Sequence, residues 1–318
     1  MNDQNIQIKR ATFVDDEIDL KELFLALWQG KWIIIGTTII AAVISVVYAL
    51  SLPNIYKSEA LLAPAEDNQS GGLSGLAGQF GGLASLAGVN LGSGSADKTT
   101  IALELLKSRS FIGEFVQEHN LKPVIMAANG WDQASNKIMY NPEVYDSEKG
   151  VWVREVKAPK QAEPSLLEVH GKFTKQFLNV SQDKETGLVT ISVKHYSPVV
   201  AKELTDKLIE QLNNTMRAND IADADNSIEY LNNALQETSV ADMQKVFYQL
   251  IEQQQQTKML ASVRAEYALK TIDPAVVAEL KSEPKRALIC LVGVLVGGVL
   301  SCFIVVVLST VRKIKKSR

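Results

Sequence analysis

The chain has 318 residues, of which 46% are apolar and 22% charged, with a formal net charge of −3 and two cysteines. The slightly acidic balance, with no clustering of basic residues and aromatics in the central region, excludes nucleic acid as a partner, and two cysteines cannot build a disulfide framework. A mean hydropathy near zero would suit a soluble protein, but the apolar residues are concentrated in two spans, Trp32 to Leu52 and Ala287 to Leu308.

Residues 1–31 read as a tail that carries a short amphipathic helix. Ile18, Leu20, Leu23, Phe24, Leu27 and Trp28 recur near helical spacing behind Asp15, Asp16, Glu17 and Asp19, where a helix dipole favours negative charge. Residues 32–52 follow without a charged side chain. Twenty or so such residues rise ~30 Å as a helix, the thickness of a bilayer core, and exceed the roughly 7–15 apolar residues of a secretory signal. The span therefore reads as a retained transmembrane anchor.

Beyond Pro53 a strand is predicted over Tyr56–Leu62. Ser70 to Gly94 is built almost wholly of Gly, Ser, Ala and Leu, and residues 71–78 return in near repeat at 81–88. No Gly-Lys-Ser/Thr follows at the spacing of a phosphate loop, so the stretch reads as a flexible loop. Its Leu73, Leu76, Leu83 and Leu86 are candidate contacts to a second copy or to a membrane surface. Helical spacing resumes at Thr99–Lys107 and Ser110–His119, and the stretch to Lys149 shows no clear period. A strand is predicted over Val151–Val156, a helix over Pro164–Lys175, and a hairpin of Phe177–Ser181 and Leu188–Lys194 around Gly187.

At Ser197-Pro198 a capping residue and a first-turn proline open a long helical register. Val200, Leu204, Leu208, Leu212 and Met216 form an apolar stripe that gives way to Asn219, Asp220, Asp223, Asp225 and Asn226. Two helices are predicted, Val199–Gln236 and Val240–Ser262, the first ~57 Å long at 1.5 Å per residue. Glu266–Ile272 reads as a strand that rejoins the first one, and Pro274 and Pro284 bracket an extended exit that ends in Lys285 and Arg286. The expected fold is thus an α+β base domain (53–197 and 264–286) carrying a long helical projection (198–263), anchored by transmembrane helices at 32–52 and 287–308.

Residues 309–318 contribute Arg312, Lys313, Lys315, Lys316 and Arg318 without an acidic residue, and Lys21 and Lys31 precede the first span. They outnumber Lys285 and Arg286 on the opposite flank, so both termini are expected in the cytoplasm and the central domain on the far side. Gly293-x-x-x-Gly297, with Gly298 beside it, permits close helix packing in lipid.

Catalytic chemistry is not expected. His119, His170 and His195 lack the spacing of a zinc site, no Gly-x-Ser-x-Gly elbow is present, and the carboxylates are spread at helical spacing among Lys and Gln. No catalytic, cofactor or metal site is assigned. Cys290 and Cys302 lie ~18 Å apart on one helix and read as small apolar fillers.

The chain resembles the Wzz family of bacterial polysaccharide co-polymerases, the O-antigen chain-length determinants. The resemblance is carried by Glu17-Ile18-Asp19-Leu20 and Leu27-Trp28, by Tyr56-Lys57-Ser58-Glu59-Ala60, by His195-Tyr196-Ser197-Pro198, and by the exit Ile272-Asp273-Pro274-Ala275, Pro284-Lys285-Arg286-Ala287, with Gly293 and Gly297 in the second span. It implies a periplasmic base with a helical projection on the bacterial inner membrane and a closed ring of several copies. It also implies a non-enzymatic role in setting how many units a Wzy-type polymerase adds to a lipid-linked polysaccharide. Larger relatives carry a kinase after the second span, and ten residues follow Leu308 here. The glycine face of the second span is then expected against the first span or the polymerase. Rival readings are a co-polymerase for capsule, exopolysaccharide or common antigen, a two-span sensor, which would need an output domain, and a secretion adaptor, which normally needs one anchor.

Overall fold

A computed structural model describes residues 27–65 and 94–316. The expected amphipathic helix up to Phe24 and the loop leucines Leu73, Leu76, Leu83 and Leu86 lie outside the described residues. The chain forms two compact units, Met1–Leu52 with Pro284–Arg318, and Pro53–Glu283.

The first unit holds helix α1 (Lys31–Ser51) and the last helix of the chain, Arg286–Lys316. Both are long and apolar enough to cross a membrane, the second over Arg286–Val311.

The second unit is α+β. Its elements are β1 (Tyr56–Pro64), α2 (Gly94–Lys107), α3 (Arg109–Glu118), α4 (Lys122–Met126), β2 (Ala128–Asp132), β3 (Lys137–Tyr140), β4 (Tyr145–Asp146) and β5 (Val151–Trp152). There follow α5 (Leu166–Lys172), β6 (Leu178–Gln182), β7 (Val189–His195), α6 (Pro198–Glu237), α7 (Ala241–Val263) and β8 (Leu269–Asp273). The closing helix Arg286–Lys316 is α8.

The main sheet is antiparallel in the order β6-β7-β1-β8. Side chains alternate across a strand, so register places residues in rows: Val180, Ile191 and Ala60 form one, Leu178, Val193 and Ser58 the next. These rows face a core that includes Phe111, Ile112 and Phe115 of α3, Val169 of α5, and Leu204, Leu208 and Leu212 of α6. The same strand alternation turns Lys57 and Glu59 outward, where they pair with each other.

Capping chemistry sets the helix starts. Ser108 accepts from Phe111 N and opens α3. Ser165 and Glu168 exchange the reciprocal bonds of a capping box at α5. Ser197 accepts from Val200 N, with Pro198 in the first turn of α6, where a missing N–H costs nothing. Gly187 closes the β6–β7 hairpin at φ +71°, a left-handed conformation that glycine adopts without strain.

The structure departs from the sequence reading in four places. The stretch before Lys149 holds α4, the β2–β3 hairpin and β4, all too short for a periodic signal. The strand expected over Val151–Val156 ends at Trp152, because Arg154 is drawn away to the Ala162 and Gln161 carbonyls and to Glu168. The helix expected over Pro164–Lys175 starts after its cap Ser165 and widens into a π turn, Phe173–Phe177. The two phenylalanine rings of that turn stack at 6.4 Å in the core. The last strand begins at Leu269 rather than Glu266, whose carboxylate instead accepts from Thr271 N.

α6 runs 40 residues, ~60 Å at helical rise. Up to Met216 it packs on the sheet, and beyond it the helix pairs with α7, where Lys258 reaches Asp225 at 2.6 Å. Asn213 is buried mid-helix and serves β8: its Oδ1 accepts from Ala268 N at 2.7 Å and Leu269 N at 3.0 Å, and its Nδ2 donates to Leu269 O at 3.1 Å. A side chain thus completes the hydrogen bonding of an edge strand.

Candidate functional site

In the membrane-type unit the residues in question are small. A Cβ added at Gly297 would overlap Ala41 Cβ, and one at Gly293 would come within 2.8 Å of Ser45 Oγ. At the other end of the pair a Cβ on Gly30 would stand 2.9 Å from Val305 Cγ2. Ser45, Ala49, Ser301 and Val305 are buried along the same seam. The Ser45 hydroxyl donates to Ala42 O and the Ser301 hydroxyl to Gly298 O, so neither leaves an unpaired donor in an apolar setting. A Cβ added at Gly298 would meet nothing within 4 Å, so that position does not face α1.

Arg286 supplies what the sequence reading of the exit missed. Its Nε donates to Ala49 O at 3.0 Å and its Nη2 to Leu52 O at 3.3 Å. The last carbonyls of α1 have no partner within their own helix, and a cation at a helix C-terminus is favoured by the dipole. One guanidinium therefore ties the end of α1 to the start of α8. The spacing of Ala41, Ser45 and Ala49, small residues four apart in the first span, was the signal available for the other half of the seam.

In the second unit the two chain ends meet. Ile55 N donates to Glu283 O at 3.0 Å, Ile55 O accepts from Ser282 N at 2.8 Å, and Lys194 pairs with Glu283 at 2.5 Å. The Ser58 hydroxyl donates to Val276 O at 2.7 Å, which holds the exit segment along β1. Pro274 lines a small cavity with Asp206, Ile209 and Asn213. Residues 274–282 form neither helix nor strand and bend at 279–280.

Three groups in the base titrate away from their ordinary values. Burial pushes the His195 imidazole down to about 4, and the nearby Lys172 cation adds to the effect. Its Nδ1 accepts from Ser197 N at 3.1 Å, so the proton sits on Nε2, which faces Val124 O at 3.3 Å. His195 thus fastens the end of β7 to the start of α6. Hydrogen bonds from Arg154 hold the Glu168 carboxylate down at about 2. Burial lowers the Lys172 ammonium, which donates to Met126 O at 3.1 Å. His119 and His170 lie elsewhere, the latter on Lys107 O at 2.8 Å. Among the described residues no group of His, Cys, Asp and Glu is arranged to hold a metal.

Residues 16–119 match the family described as Wzz, chain length determinant protein, and residues 233–310 match GNVR, the G-rich domain on putative tyrosine kinase. Tyrosine-protein kinase etk of Escherichia coli strain K12 is 25% identical over 137 residues, which are 41% of this chain and 17% of that protein. The etk protein of Escherichia coli O127:H6 matches to the same extent. The chain therefore spans about a sixth of the length of these curated relatives. Solved structures similar to this chain include two polysaccharide co-polymerases. A full-length bacterial polysaccharide co-polymerase has 14% identity and a TM-score of 0.38, with 93% of this chain and 99% of that chain covered. A fragment of WzzB, polysaccharide co-polymerase from Salmonella Typhimurium, has 13% identity and a TM-score of 0.30, with 72% and 100% covered.

The chain thus combines an α+β unit whose ends meet with a unit of two packed helices, each long and apolar enough to cross a membrane. The resemblance to the Wzz family read from the sequence is borne out by the match over residues 16–119.

Proposed function

We propose that this chain regulates the length of a bacterial surface polysaccharide, with O-antigen made by a Wzy-type polymerase on a lipid carrier as the polymer. The carrying observation is the match of residues 16–119 to the chain length determinant family. The protein works from the inner membrane, with residues 1–31 and 309–318 cytoplasmic and residues 53–286 periplasmic. The basic tail after the second span supports that orientation. Several copies form a ring around or beside the polymerase. Tyr230, Met243 and Tyr248, large and exposed on α6 and α7, support contacts between copies along the projection. The protein itself makes and breaks no bond.

The test is deletion and complementation, with polysaccharide resolved by length on a gel. Loss of the modal band on deletion and its return on complementation is expected; an unchanged ladder refutes the role. Gly293→Leu and Gly297→Leu together should part α1 from α8 and shift the distribution, since both positions lack room for a side chain. A second reading within the same class is capsule, exopolysaccharide or common antigen in place of O-antigen. The polymer lost on deletion separates the two.

A further inference from the structure

A cleft of about 520 Å³ opens between the β2–β3 hairpin, the β4–β5 turn and the first turns of α6. Its size falls within the range of about 300–1,000 Å³ in which proteins hold small organic ligands. Ile138, Tyr140 and Val200 line it with apolar surface, and Lys137, Ser147 and Glu203 bring polar groups. Tyr140 is half-buried, and burial together with neighbouring Tyr145 raises its phenol above the usual range, so it stays a neutral hydroxyl donor. Beyond the cleft lining two more rings follow Tyr140: Tyr145 packs edge-on to it at 5.7 Å between centroids, and Trp152 is tilted against Tyr145 at 4.9 Å. All three rings are half-buried, each with one part packed and another open to solvent.

This combination has a chemical preference. One lysine and one glutamate leave the cleft without a net charge, which disfavours phosphates and polyanions. An aromatic face backed by apolar side chains suits the C–H face of a sugar ring, and hydroxyl, ammonium and carboxylate groups suit the sugar's hydroxyls. A row of three rings suits a polymer better than a single sugar, because successive units can each find a ring.

We propose that this cleft binds an uncharged segment of the polysaccharide, with Tyr140 as the first platform and Tyr145 and Trp152 as its continuation. The identity of the ligand rests on the proposed function; the cleft and its aromatic row do not.

The test uses the full chain in lipid nanodiscs and, as probe, size-fractionated polysaccharide released by mild acid from the strain that encodes it. Binding is read by calorimetry and by saturation-transfer NMR. Saturable binding is expected, with sugar protons close to aromatic protons. Ser147→Trp, an exposed position on the cleft wall, should weaken binding about tenfold or more by filling the space, as should Tyr140→Ala by removing one aromatic contact together with its hydroxyl. Because Tyr140→Ala also removes packing on Tyr145, Ser147→Trp decides if the former unfolds. No binding by the parent chain, or binding unchanged in Ser147→Trp, overturns the proposal. So does a Ser147→Trp chain that binds sugar as before but changes its oligomeric state, since the cleft would then seat a second copy. Failure here leaves the deletion phenotype untouched, and an absent deletion phenotype leaves the binding result standing.

Discussion

The two halves of α6 are one uninterrupted helix in opposite surroundings. From Pro198 to Met216 it buries Ala201, Leu204, Leu208, Leu212 and Met216, together with Thr205, Gln211 and Asn213. From Arg217 to Glu237 it buries Ala224 and Leu231, while its partner α7 buries Ala261. The first half is held by the hydrophobic core. The second is held by helix propensity, one facing helix and a few polar links, such as the Tyr267 hydroxyl on Asp220 at 2.5 Å. A helix this long is therefore rooted at one end, and perturbations of equal chemistry should have unequal effects along it.

The largest expected effect is at the root. Leu208→Ala opens a cavity beneath the sheet and should cost about 3–5 kcal/mol, whereas Leu231→Ala in the distal half should cost well under half of that. Thermal unfolding followed by circular dichroism in detergent compares them, and equal losses would contradict the division. Next comes pH. The folded His195 pKa of about 4 lies below the unfolded value of ~6.5, so the unfolded chain binds the extra proton first. This contribution is full above ~6.5, declines as pH falls from there to about 4, and is worth on the order of 3 kcal/mol. His195→Gln should flatten the acid side of the stability curve, and an unaltered curve would remove His195 as its cause.

Asn213→Ala should cost about 1–3 kcal/mol by stranding the N–H groups of Ala268 and Leu269. Hydrogen exchange should rise selectively at the start of β8. Smallest is Lys258→Ala on the projection, which breaks the pair with Asp225. Both side chains are more than a third exposed, and such pairs contribute about 0–1 kcal/mol. A larger loss would mean that the distal half is more tightly built than its burial indicates.

Legibility in the sequence divides along similar lines. The α6 root was readable because Leu204, Leu208 and Leu212 repeat at helical spacing behind the Ser197-Pro198 start. β7 was readable because Val189, Ile191 and Val193 alternate with Thr190, Ser192 and Lys194. The β2–β3 hairpin and β4 were not, since strands of two to five residues carry too little period to detect, and β5 was read only as part of a longer strand, Val151–Val156. The proposed sugar cleft is built partly on these hairpins, so sequence reasoning passed over it. The partner surface of Gly293 and Gly297 was half legible: the small residues were evident, but only the packed helices bring Ser45 and Ala41 against them, and Gly298 does not face α1.

Local chemistry, then, was enough to determine the two spans, the long helix with its cap, the alternating strand β7 and the family resemblance. These depend on residues near one another in the chain, whose spacing or composition carries the physics directly. Tertiary structure alone decided that Asn213 completes β8, that Arg286 caps the first span, that His195 is buried and neutral, and that Tyr140, Tyr145 and Trp152 form a row beside a cleft. Each of those joins segments separated along the chain or sets the burial of a single side chain, and neither is encoded in local spacing.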